Sequence, residues 1–231
     1  MPPRRRPEGR VAAEARLDGW FRQPFAKPLA LSDVREASIV ETWSADSAHS
    51  VGKSVRWRPG QSTAAIFASC GSEGDVCVRD TREAGKKGPA VEFADAHTQG
   101  ANFVAWSPAE EHLLASAGAG TELLLHDIRK AGNDAQALHT YTGHAQPRGH
   151  RCRQMYCPAF AAGGAVLVCP GENSERLSMY SVATGATLSR GCVGYDATAL
   201  VGGGATRNAP LVAAAPGGAL ELFFVEKAGE A

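Results

Sequence analysis

Apolar and polar positions along the chain fall into short alternating runs, four to six residues long, closed by glycine or proline. Residues 55–59 read Val-Arg-Trp-Arg-Pro and residues 104–108 read Val-Ala-Trp-Ser-Pro. Each is an apolar-x-aromatic run stopped by a proline, which cannot donate to a sheet ladder and so marks a strand end. Residues 67–80 and 114–127 align without a gap: a strand ending in small residues, a glycine turn, then an alternating apolar strand ending in Asp80 or Asp127. Period-two runs of this length are the pattern of half-buried β-strands.

Two weaker copies follow. In residues 168–181 the turn is Gly171-Glu172-Asn173 and the second strand is Leu177-Ser178-Met179-Tyr180. In residues 211–224 the turn is Pro216-Gly217-Gly218 and the second strand is Leu220-Glu221-Leu222-Phe223. The copies recur 47, 54 and 43 residues apart. That spacing brackets the ~40–45 residues of one propeller blade, with loop insertions. Small residues at Ala115, Ala117, Gly118, Ala213 and Ala214 are expected on inner strands, where blades converge.

The best copy carries His97, Trp106-Ser107-Pro108, Leu114-Ala115-Ser116 and His126-Asp127, and a Gly-His pair stands at 143–144. This pattern resembles the WD-repeat family over residues 48–226. The resemblance implies an all-β propeller of about four recognisable blades, fewer than the family's usual seven. A truncated product, an open propeller completed by a partner, and a small closed ring all fit, with truncation or a fragment favoured. A terminal blade lacking a polar cap would expose an apolar face. In that family a His–Ser–Asp–Trp network stiffens each blade, which assigns structural roles to His97 and Ser116, and Trp57 and Trp106, the aromatics of the strands that proline stops, are expected to be blade-structural as well. The terminal Trp is replaced by Arg79, His126, Tyr180 and Phe223, and no copy keeps all four members. Looser blades are therefore expected.

The remaining chain divides into a poorly structured segment at 1–36, the repeats at 37–226, and a tail at 227–231. Within it, residues 11–17 could form a short helix, and residues 37–43 read as a strand, the outer strand of a preceding blade. Arg4, Arg5 and Arg6 read as a solvated tail.

Composition changes this picture little. The chain has 44% hydrophobic and 21% charged residues and a net charge of +0. Such a balance fits a folded domain and argues against nucleic acid as the main partner. No run approaches the ~18 apolar residues of a membrane span, and no membrane partner is expected. No secretory signal precedes the six cysteines. Free thiols and an intracellular, cytoplasmic or nuclear, setting are expected.

Candidate chemistry is sparse. His144, His150, Cys152 and Cys157 cluster, but without paired metal-ligand spacing, and Cys157 is expected on an apolar strand as a small hydrophobe. No Gly-x-Ser-x-Gly elbow or complete phosphate loop occurs, so no cofactor and no enzymatic activity are expected. The expected role is a protein-interaction scaffold for proteins or peptides. One motif is sharper: two consecutive copies end in Asp-x-Arg, as Asp80-Thr81-Arg82 and Asp127-Ile128-Arg129. The tandem resembles the box by which WD-repeat substrate receptors of cullin-4 ubiquitin ligases dock their adaptor. On that resemblance Arg82 and Arg129 offer planar charge to a partner. The alternative is that they are solvated or pair within their own blades.

Overall fold

The computed structural model describes residues 29–33, 38–43, 49, 51–60, 65–83, 88–130, 136–144, 157–171, 175–202, 204–215 and 217–225. Its order is almost wholly β. A hairpin of β1 (Leu29–Asp33) and β2 (Ser38–Trp43) precedes three four-stranded antiparallel sheets and one three-stranded sheet. Blade 1 is β3 (Gly52–Trp57), β4 (Ile66–Gly71), β5 (Val76–Asp80) and β6 (Val91–Phe93). Blade 2 is β7 (Ala101–Trp106), β8 (Leu113–Gly118), β9 (Leu123–Asp127) and β10 (His139–Tyr141). Blade 3 is β11 (Ala159–Ala161), β12 (Val166–Pro170), β13 (Arg176–Ser181) and β14 (Thr187–Cys192). Blade 4 is β15 (Ala199–Gly202), β16 (Leu211–Ala214) and β17 (Leu220–Phe223).

Each sheet is a meander in chain order, so neighbouring strands need only short turns. One such sheet has two faces and cannot cover both by itself, so the blades cover one another. Three apolar clusters result. The first joins Ala68, Cys70, Val76 and Val78 of blade 1 to Val104 and Trp106 of blade 2. Another sets Leu123, Leu125 and Tyr141 of blade 2 against Phe160, Leu167 and Tyr180 of blade 3. The last sets Val166, Val168 and Leu177 of blade 3 against Leu200, Leu211 and Ala213 of blade 4.

Some expectations shift. β1 lies inside the segment expected to be unstructured up to residue 36, because residues 38–43 need an antiparallel partner and find it there. The expected 37–43 strand is β2, paired with β1. Ala115, Ala117, Gly118, Ala213 and Ala214 sit on second strands, each with a strand on either side in its sheet. Cys157 precedes β11 instead of lying on it. The suggested helix at 11–17 and the basic run at 4–6 lie outside the described residues.

Candidate docking surface and the relays behind it

Several of the polar side chains buried in the blades come from one repeated position set. Ser69 and Ser116 stand on the second strands, β4 and β8, and both are fully buried. In blade 2, His97 Nε2 lies 2.7 Å from Ser116 Oγ, and His126 Nε2 lies 2.7 Å from the same oxygen. A serine hydroxyl has one proton, so one imidazole must accept and the other must donate. His126 Nδ1 is buried with no hydrogen-bond partner. An unpaired acceptor there is cheaper than an unpaired N–H, so His126 Nε2–H donates to Ser116, and Ser116 donates to His97. His126 thus performs the donor's part that the family gives to Trp, and its ring stacks on Phe93 of blade 1 at 4.4 Å.

Blade 1 repeats the arrangement with a guanidinium. Arg79 Nη1 donates to Ser69 Oγ at 2.8 Å, and Ser69 Oγ lies 3.0 Å from His49 Nε2. His49 Nδ1 is also buried with no hydrogen-bond partner, so by the same rule His49 Nε2–H donates to Ser69 Oγ, whose two lone pairs accept from both His49 and Arg79. Blade 3 shortens the chain. The Tyr180 hydroxyl donates to the Thr142 carbonyl at 3.0 Å, so His144 Nδ1–H donates to the phenol oxygen, also at 3.0 Å. Blade 4 has Ala213 and Phe223 at the matching places and carries no polar relay there. In blades 1 to 3 the residue at each replaced Trp position donates a hydrogen bond of its own. Any N–H or O–H donor of suitable reach fills the position.

The glycines after the relay serines are part of this design. A Cβ at Gly118 would stand 2.5 Å from His97 Nδ1, and one at Gly71 would stand 2.4 Å from the His49 Cβ. The rings occupy the space a side chain would need. Burial also fixes their charge: His97 is held down to about 4, His126 to about 3 and His144 to about 4, each chiefly by desolvation. All three are neutral at physiological pH. The buried thiols are inert for the same reason, with Cys70 pushed up to about 12 and Cys77 to about 11.

Asp80 and Asp127 close β5 and β9, and a single 3₁₀ turn follows each, Thr81–Glu83 and Ile128–Lys130. In the first turn Asp80 Oδ1 accepts from the Arg82 backbone N–H and from Arg82 Nε, both at 2.9 Å, while Nη2 donates to Oδ2. In the second, Asp127 Oδ1 accepts from Arg129 N at 3.0 Å and Nε at 2.9 Å, and Oδ2 accepts from Nη2 at 2.8 Å. The arginine bonds hold both carboxyls down to about 2. Each arginine thus pairs within its own turn, yet remains exposed, and this pairing uses two of a guanidinium's five N–H groups. The flanking loops add an Arg58–Glu111 pair at 3.8 Å and Glu110 beside His112 at 3.7 Å. The result is a rim of alternating charge across two consecutive blades.

The two tryptophans part company. Trp106 is buried between blades and its indole N–H donates to the Arg56 carbonyl at 3.0 Å. Trp57 is half exposed and meets Phe67 edge-on at 5.3 Å. Of the suggested metal cluster, His144 belongs to the blade 3 relay and Cys157 Sγ contacts the Leu200 carbonyl at 4.0 Å. His150 and Cys152 lie outside the described residues. Among the described residues no three His, Cys, Asp or Glu side chains gather as metal ligands, and no helix is long and apolar enough to cross a membrane.

This architecture is that of the WD40 β-propellers. The chain superposes on the WD40 β-propeller domain of Doa1 with a TM-score of 0.59 at 13% identity, over 83% of this chain and 56% of that one. It superposes on a chain of the mitotic checkpoint complex with a TM-score of 0.63 at 16% identity, over 87% of this chain and 56% of that one. In sequence it is 30% identical over 105 residues to the histone acetyltransferase type B subunit 2 of Candida albicans (strain SC5314 / ATCC MYA-2876). That stretch is 46% of this chain and 26% of the relative's length. No protein-family model matches. The chain is therefore a WD-repeat propeller in fold, spanning about half of the solved chains it resembles.

Proposed function

We propose that the chain is a non-catalytic interaction module of the cell interior, built on residues 37–226, that docks protein partners on its charged rim. One observation carries this reading: two consecutive blades present the same Asp–Arg turn in the same hydrogen-bonded geometry, with both guanidiniums exposed. Each carboxylate fixes its arginine before any partner arrives, which lowers the entropy lost on docking. Arginine in such a preorganised fork suits a partner's carboxylates or backbone carbonyls. The polar groups that a catalyst would draw on, His49, His97, His126 and His144, are engaged in blade relays instead. By name, the sequence relative is a subunit of a histone acetyltransferase and one solved neighbour belongs to a checkpoint complex, so both work within assemblies.

The tandem arrangement also favours a narrower reading, in which the partner is the propeller adaptor of a cullin-4 ubiquitin ligase. The test is affinity purification of the tagged chain beside an Arg82→Glu/Arg129→Glu variant, with purified adaptor assayed in parallel. Loss of partners in the variant, with circular dichroism unchanged, supports the rim. Retention of the adaptor by wild type alone supports the narrower reading. Identical partners for both proteins would remove the rim from the binding surface.

A further inference from the structure

The rim carries charges of two kinds. The Asp80 and Asp127 carboxylates are taken up by their own arginines, and their side chains are only 15% and 5% exposed. The guanidiniums of Arg82 and Arg129 are 67% and 65% exposed. Each gives Nε and Nη2 to its aspartate, which leaves Nη1 and one Nη2 hydrogen for a second acceptor. The loop between β7 and β8 adds the opposite sign. Its Glu110 and Glu111 are 60% and 68% exposed. Glu111 meets Arg58 at 3.8 Å and Glu110 meets His112 at 3.7 Å, too far for a hydrogen bond, so neither carboxylate is taken up as the aspartates are. This loop is tied to both turns. Arg58, beside Glu111, donates its backbone N–H to the Ile66 carbonyl at 2.9 Å, and the adjoining Ala65 carbonyl accepts from Thr81 of the blade 1 turn at 2.7 Å. The carbonyl of His112, beside Glu110, accepts from Ile128 of the blade 2 turn at 3.0 Å. Beyond their own turn partners, Asp80 also feels the Arg58 charge and Arg129 that of Glu110. Among the described residues, the accessible order from blade 1 to blade 2 is therefore cation, two anions, cation. Glu83 and Lys130, both exposed, end the two turns and make the blade 2 end the more cationic.

We infer that the rim selects its partner by charge order: the partner is a protein segment with an acidic group for each arginine and a basic group between them for Glu110 and Glu111. This rests on the rim being the docking surface. A uniformly acidic segment meets both glutamates, and a uniformly basic one meets both guanidiniums, so each loses on one contact what it gains on another. Only the alternating order is favourable throughout. The spacing suits a helix. Packed sheets lie about 10 Å apart, so the ends of β5 and β9 recur at roughly that interval. Two helical turns rise about 10.5 Å. Glutamates seven places apart on a helix therefore reach the two arginines, and a lysine three or four places after the first faces Glu110 and Glu111.

Fluorescence anisotropy on the full chain tests this at low ionic strength, where exposed ion pairs are strongest. The probes are three labelled alanine-based helical peptides. The first carries Glu at two positions seven apart, with Lys three and four places after the first Glu. The second has Glu at all of these positions, and the third exchanges every sign. Wild type binds the first peptide about tenfold more tightly than either control. Arg82→Glu/Arg129→Glu loses it. Glu110→Lys/Glu111→Lys moves the preference to the all-acidic peptide. Glu110→Gln/Glu111→Gln, which adds no new charge, narrows the preference, and circular dichroism confirms that each variant is folded. Equal binding of the three peptides by wild type, absence of binding included, overturns the charge order. So does tighter binding of the all-acidic peptide, or a preference that neither glutamate variant changes. The rim itself is judged by the affinity purification above. Partners lost with Arg82→Glu/Arg129→Glu keep the rim when the charge order fails, and partners kept by that variant remove both.

Discussion

Blades 2 and 4 are built from the same repeat and end in different states. Blade 2 lies between neighbours, buried on both faces, with His97, Ser116 and His126 bonded through its middle. Blade 4 has three strands among the described residues, one face packed on blade 3, Ala213 and Phe223 in the relay positions, and Leu220 and Leu222 exposed on its other face. The difference teaches that a repeat's stability resides in its contacts with neighbours as much as in its own residues. A leucine side chain gains about 1.5–3 kcal/mol on full burial. Leu125 of blade 2 collects that gain, whereas Leu220 and Leu222 of blade 4 forgo most of it.

The largest test of this contrast compares two truncations. Leu125→Ala should cost about 2–5 kcal/mol of unfolding free energy, through lost burial and the cavity left behind. Leu222→Ala should cost under about 0.5 kcal/mol, as at other exposed sites. Equal losses in urea titrations would erase the distinction between the blades.

Acid should sharpen it. His97 and His126 are neutral in the fold, held near 4 and 3, while in the unfolded chain they take up protons near 6.5. The unfolded chain therefore binds more protons between those values. The stability these two groups contribute is full above about 6.5 and is lost as pH falls toward 4. The slope is at most about 1.4 kcal/mol per pH unit for each histidine, so up to about 3 for the pair over one unit. Amide exchange should show blades 1 to 3 loosening over this window. Blade 4, with no buried histidine among its described residues, should open with little pH dependence of its own. Uniform loosening in all four would contradict the assignment of acid sensitivity to the relays.

A smaller effect addresses the relay alone. Ser116→Ala removes the oxygen that joins two imidazoles and leaves the His126 N–H buried without its acceptor, at a cost of about 1–3 kcal/mol. Ala213→Ser, at the matching place in blade 4, should give no compensating gain, because Phe223 offers no donor. A neutral Ser116→Ala in thermal unfolding would mean that packing alone sets the stability of blade 2.

Much of this fold is visible in the residues themselves. Ser69-x-Gly71 and Ser116-x-Gly118 mark the relay hydroxyl and the space for the imidazole ring. The prolines after Trp57 and Trp106 mark strand ends, and four turn signals set four blades. The roles of Arg79, His126 and Tyr180 are not visible, because their sequence position is defined by a Trp that none of them is. What they share is a donor of the right reach, which is a property of geometry. The Asp-x-Arg spacing is equally plain, but it fits a free guanidinium as well as a paired one. The turn after β5 and β9 is what brings Arg82 onto Asp80 and Arg129 onto Asp127.

The sequence by itself determined the strand period, the repeat and the all-β class, because these depend on local alternation and on backbone limits at glycine and proline, and it shows the two Asp-x-Arg motifs without their pairing. Only the tertiary structure decided which of two identical Val-x-Trp strands is buried. Val55 and Val104 each precede a Trp by two places and a Pro by four, yet one has a blade face beneath it and the other stands partly in solvent. Burial is a relation between elements, and the alternation of a single strand does not encode what lies against it.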